Sequence, residues 1–207
     1  MAAAPEHPLR WLSDRARRAP DSAAVLGPSE ILTHAQLLDN LGCWSRLMRA
    51  AGLDREKHVA VVTRHRSRLA RAIWLALHDG VPLLTVDPSQ TQAGSLMRQC
   101  GVEQAMADAD LALPEGIRRL PARPLDRPAG GSRNEATPMD VDKPQLLVPT
   151  SGTEGTPRAV MLTCRNIASA AFATNRMLGL QHAGLVSGWG ISTQYWNWSW
   201  SEHTVSE

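Results

Sequence analysis

Short apolar runs alternate along the chain with longer segments whose apolar positions recur at helical spacing. "SAAVLG" and "SEILT" read as two short strands around a Gly27-Pro28 turn. Thr33 is placed to cap the helix "HAQLLDNLGCWSRLMRAAG", where Leu37, Leu41, Trp44, Leu47 and Met48 recur on one side and Gly52 closes the run. "HVAVVT" is a compact β-branched run, the pattern of a strand buried on both faces. Ser67 is placed to cap the next helix, "SRLARAIWLALHDG", which stops at Gly80. The strand "VPLLTVD", the helix "SQTQAGSLMRQCG" and the strand "EQAMAD" follow. That alternation predicts an α/β fold, with a mostly parallel sheet flanked by helices.

From Leu113 to Pro144 the periodicity gives way to a Pro-, Gly- and Arg-rich stretch, read as a long surface loop or connector. Beyond it come the strand "PQLLVP", a polar turn, the strand "AVMLT" and the helix "RNIASAAFATNRMLGL".

Composition narrows the function classes. The chain has 207 residues, 43% hydrophobic and 20% charged, which suits one globular domain or part of a larger one. A formal charge of +2 gives no field for nucleic acid or a membrane surface. Lys57 and Lys143 are the only lysines, so the basic residues are nearly all arginine. Cys43, Cys100 and Cys164 lie far apart, without metal-ligand spacing, and read as reduced, mostly buried thiols. No apolar run reaches the length of a membrane span. The opening "MAAAPEHPLRWLSDRARRAP" has no apolar core and carries Glu6 and Asp14, against a transit peptide. The expected compartment is the cytoplasm.

The chemistry concentrates in "PTSGTEGTPRAVMLT", residues 149–163. Gly152 and Gly155 let the backbone come close to a ligand, and successive N–H groups in such a turn can converge on an anion. Thr150, Ser151, Thr153 and Thr156 add hydroxyls, and Arg158 adds a guanidinium fork suited to phosphate. The spacing is neither a Walker A loop nor GxGxxG, because Pro157 stands where the former needs glycine. On composition alone a polar β-hairpin turn accounts for the same residues.

A resemblance separates the two readings. "TSGTEGTPRAVMLT" resembles the phosphate-binding signature of the AMP-forming adenylating enzymes, the superfamily of acyl-CoA synthetases, nonribosomal adenylation domains and luciferases. Thr150, Ser151, Gly152, Thr153, Gly155 and Pro157 match its pattern, and Glu154 is an accepted variant. Arg158 stands for the usual lysine, Ala159 for a glycine and Cys164 for a histidine. The segment from "ILTHAQLL" to "LLTVDPSQ" is similar to the opening part of the same family, with Asp87-Pro88 after a strand. The resemblance implies that residues 1–180 form part of the large N-terminal domain of the adenylate-forming fold, and it fits an acyl-CoA synthetase best.

It also implies a two-step reaction. A carboxylate attacks the α-phosphate of ATP·Mg²⁺, and the acyl-adenylate then passes its acyl group to coenzyme A or to a carrier's phosphopantetheine. Residues 150–158 would hold the β- and γ-phosphates: Ser151, Thr153 and Thr156 as hydroxyl donors, Gly152 and Gly155 as backbone cradle, Arg158 as charge clamp. No segment resembles the family's adenine-binding, ribose-binding or C-terminal lysine motifs, so this chain by itself is expected to be inactive.

Residues 181–207 form an atypical tail holding four of the seven tryptophans. Trp196, Trp198 and Trp200 alternate with polar residues, as on an edge strand; a carbohydrate- or membrane-binding patch is a second reading. The third is a lost reading frame, entered between about Gly179 and Gly190, because tryptophan's single codon read one base later becomes glycine. Three functions are expected in turn: a fragment of an acid–thiol ligase, a carrier-loading adenylation domain, or a non-catalytic product retaining only the phosphate loop. A sheet ending at this point would expose an edge and an apolar face, with poor solubility as the expected result.

Overall fold

Buried aliphatic strands set the centre of the molecule. The computed structural model describes residues 7–26, 31–122, 125, 140–150 and 158–177. In chain order these form α1 (Pro8–Arg18), β1 (Ala23–Leu26), β2 (Ile31–Thr33), α2 (His34–Ala50), β3 (His58–Val62), α3 (Arg66–Asp79), β4 (Leu83–Val86), α4 (Ala93–Gln99), β5 (Val102–Ala107), β6 (Arg118–Pro121), β7 (Pro144–Thr150), β8 (Arg158–Thr163) and α5 (Cys164–Met177). A six-stranded sheet has the order β6-β5-β3-β4-β7-β8, parallel throughout except for the antiparallel β7–β8 pair. β1 and β2 make a separate antiparallel hairpin.

Alternation along the central strands divides the core in two. Val59, Val61, Leu83, Met106, Leu120, Leu146 and Val148 join the apolar sides of α1, α2 and α3 on one face. Ala60, Val62, Leu84, Val86, Ala105, Ala107 and Leu147 face Leu96, Met97 and Leu111 on the other. The first cluster is built around Trp44, which is 1% exposed in α2. The helix termini follow local chemistry. Thr33 and Gln36 form a reciprocal capping box at α2, and Gly80 ends α3 in the left-handed region with φ 69°.

Three expectations need correction. Ser67 does not cap α3: the helix begins at Arg66, and its N-cap, His65, makes no side-chain capping bond. α4 covers only Ala93–Gln99, because residues 87–92 are taken up by turns, including one in which Asp87 accepts from Ser89 N and Oγ. The stretch from Leu113 to Pro144, expected as loop, contains β6 and the fully buried Leu120 and Leu125. A short edge strand of sequence "RRLP" carries no alternation to betray it; Arg118 is used instead to donate to Gly52 O and to Gln104 Oε1. α1 was not read from the sequence either. Its apolar face is Leu9, Leu12 and Ala16, with His7 Nδ1 accepting from Leu9 N at 3.1 Å.

A buried polar cluster ties α2 to the end of α3. Asp79, with no side-chain exposure, accepts from Ser45 Oγ at 2.7 Å and faces His78 Nδ1 at 3.0 Å. Arg49 Nη2 lies 3.6 Å from the same carboxylate oxygen and donates to Ser45 Oγ at 2.6 Å. Burial acts against the charged form, but the His78 and Ser45 hydrogen bonds and the charges of His78 and Arg49 outweigh it, holding Asp79 below 3.8. Desolvation, then Arg10, holds His7 below 6.5. Both shifts favour the folded state above the unfolded-state values, 6.5 and 3.8, and lose that contribution as pH falls through the lowered ones. Acid should therefore weaken the fold in two stages, first at α1 and then at the α2–α3 contact. Thermal melts at falling pH check this: the gap between the native chain and Asp79→Asn should narrow only below 3.8.

On β8 Val160 and Met161 are exposed by 48% and 60%, and on α5 Phe172 and Met177 by 54% and 78%. An apolar edge of this kind favours strand-to-strand association. Met161→Lys is expected to lower light scattering of the concentrated chain without moving its melting temperature; equal scattering would place the association elsewhere.

Candidate functional site

The parallel strands β3, β4, β5 and β7 deliver their carboxyl ends to one edge of the sheet, the edge where α/β proteins place ligands. β4 leads there into the Asp87–Ser89 turn, and its neighbour β7 ends at Thr150. β8 starts at Arg158, and Thr150 and Arg158 are direct register partners. Thr150 Oγ1 donates to the Arg158 carbonyl at 3.4 Å, and both residues are exposed. Ser151, Gly152, Thr153, Glu154, Gly155, Thr156 and Pro157 lie outside the described residues. What the structure brings together is thus the two ends of the expected loop, a hydroxyl and a guanidinium flanking the connection.

Apolar packing fixes those ends. Val148 and Leu162 join the first core cluster and Leu147 and Ala159 the second, so the hairpin is anchored on both faces just before it opens. Cys164 follows β8 at the first position of α5, with Sγ 3.6 Å from His7 Nε2. Burial pushes this thiol up to about 11, which favours its protonated form at neutral pH. Cys43 and Cys100 are only half-buried, more accessible than the sequence suggested. Trp74 packs partly buried against the core, and His78 belongs to the Asp79 cluster.

The sequence did not disclose a second polar group at the same edge. Asp108, just after β5, accepts from Thr63 Oγ1 at 2.9 Å and from Arg64 N at 3.0 Å, and it pairs with Arg68. Arg119 donates to its carbonyl at 2.7 Å, and Arg64 pairs with Asp110 at 2.6 Å. The Arg64 hydrogen bond leads the causes that hold Asp110 below 3.8. These contacts cross some 40 residues of chain, and no local spacing announces them. Among the described residues, no three His, Cys, Asp or Glu side chains gather as a metal cage, and no helix is long and apolar enough to cross a membrane.

An AMP-binding enzyme family model matches residues 12–204, and the chain belongs to that family. Over 175 residues it is 30% identical to the sulfoacetate–CoA ligase of Cupriavidus necator, covering 74% of this chain and 34% of that protein. Its fold superposes on O-succinylbenzoate coenzyme A synthetase from Bacillus subtilis in complex with AMP, with TM-score 0.69, 20% identity, and coverage of 82% of this chain and 46% of that one. A nonribosomal peptide synthetase in its AMPPNP-bound form gives TM-score 0.68 at 23% identity, covering 82% of this chain and 18% of that one. The chain therefore spans less than two thirds of each of these relatives.

Proposed function

We propose that this chain is the part of an AMP-forming acid–thiol ligase that grips the phosphates of ATP·Mg²⁺ while a carboxylic acid is adenylated. The observation that carries the reading is the Thr150–Arg158 register pair at the carboxyl edge, which brackets the Gly- and Thr-rich connection. Backbone N–H groups of residues 151–156 and the Ser151, Thr153 and Thr156 hydroxyls would meet the β- and γ-phosphate oxygens, with Arg158 as the fixed charge. Their work is electrostatic, holding charge that moves onto the leaving pyrophosphate. Asp87 is engaged in a turn and Asp108 with Thr63, Arg64 and Arg68, so neither is assigned a role as base.

The ligase named among the relatives supports a coenzyme A thiol as acceptor. The nonribosomal synthetase supports the second reading, transfer to a carrier protein's phosphopantetheine. The three separated cysteines suit the cytoplasm, where such acceptors are found. Calorimetric titration of the chain with pyrophosphate tests the phosphate grip: saturable binding weakened by salt is expected, and no binding would overturn the reading.

A further inference from the structure

The strand order contains a reversal away from the β7–β8 pair. β3 runs through α3 to β4 on one side, whereas β5 leads to β6 on the other, so the connections diverge between β3 and β5. Open α/β sheets bind small molecules in the crevice outside the carboxyl ends of such a strand pair. A half-open depression of about 370 Å³ lies at the carboxyl end of β3, between the turn after β4, α4 and the loop after β5, lined mainly by Val62, Pro88, Gln90, Met97, Leu111 and Leu113. Its size falls within the range of small-molecule pockets.

The lining indicates what would enter. It contains no ionisable side chain, and the Gln90 amide is its only polar side chain apart from backbone. The nearby charges lie outside the lining and are engaged with one another: Arg64 with Asp110, Arg68 with Asp108, Arg119 with the Asp108 and Leu111 carbonyls. A charged ligand would shed part of its hydration at this half-open site and find no partner there. A neutral one with an apolar body loses little and can use Gln90.

We propose that this crevice at the carboxyl end of β3 is a binding site for a small, uncharged, mainly apolar molecule carrying one hydrogen-bonding group. Met97 lines the depression, while Met161 on β8 and Met177 on α5 are exposed elsewhere, so methionine methyl resonances report where a probe goes. With benzyl alcohol as probe, the Met97 methyl is expected to shift saturably in the millimolar range. Benzoate, of similar size but charged, should bind about tenfold more weakly or less. Ala93→Trp fills the cavity, and Ala112→Phe covers its mouth from an exposed position; each should remove the shift. Because Ala112 lies outside the core, loss of the shift in that variant with an unchanged melt excludes a folding defect. No saturable shift, shifts centred on Met161 and Met177, or a shift surviving both substitutions would overturn the proposal. Each of these outcomes is independent of pyrophosphate binding.

Discussion

Gly152→Val is expected to abolish pyrophosphate binding while leaving the thermal midpoint of the chain unchanged. The hairpin is held from outside the loop by Val148, Leu162, Leu147 and Ala159, so the substitution leaves the core contacts intact. A branched side chain in the cradle would hold the backbone N–H groups away from the anion and disfavour the left-handed conformations that glycine permits. Arg158→Ala should weaken binding by about tenfold to a hundredfold, the worth of a hydrogen bond to a charged group. Arg158→Lys should recover part of that loss, keeping the charge but not the fork. Titrations of the three variants beside circular-dichroism melts decide the matter. Undiminished binding by Gly152→Val would remove the loop from the site.

The second large effect belongs to stability. Trp44 is 1% exposed and is among the largest fully buried side chains, in the cluster that α1, α2, α3 and the sheet share. Trp44→Ala is expected to cost about 3–5 kcal/mol, from lost transfer energy and the cavity left behind. Domains of this kind have only about 5–15 kcal/mol in hand, so a large share of the margin would go. Urea titration followed by far-ultraviolet dichroism measures it, and a loss below about 1 kcal/mol would mean that the site collapses onto the space. Trp74, only partly buried, should cost less when changed to alanine.

The parts legible in the sequence are those governed by local rules. "HVAVVT" and "VPLLTVD" became the parallel strands β3, buried from Val59 onward, and β4, buried throughout, and the spacing of Leu37, Leu41, Trp44 and Met48 marked the buried side of α2. Thr33 was readable as a cap because its bond to Gln36 spans three residues. Leu47, grouped with them, is 44% exposed, since a stripe of five apolar positions is wider than the contact. The features missed depend on distant partners. β6 exists because Gln104 to Ala107 supply its ladder and Arg118 reaches back to the turn after α2, neither visible in "RRLP". Asp79 and Asp108 draw their meaning from residues far away in the chain, and the crevice from three strand ends at once. Of the proposed phosphate site, only Thr150 and Arg158 fall among the described residues; Ser151 to Pro157 are assigned on sequence resemblance.

The pairing of β4 with β7 has a consequence for how the molecule assembles. Between them the chain passes through α4, β5 and β6 and the Pro- and Gly-rich stretch. β3, β4 and β5 can zip together through short crossovers, whereas β7 must close a long loop before any contact rewards it. β7, β8 and α5 are then the last to join the growing sheet. The Gly- and Thr-rich segment would acquire its anchored ends only after the rest of the core has formed, so a nascent chain stalled before that step would hold a sheet without the proposed phosphate grip.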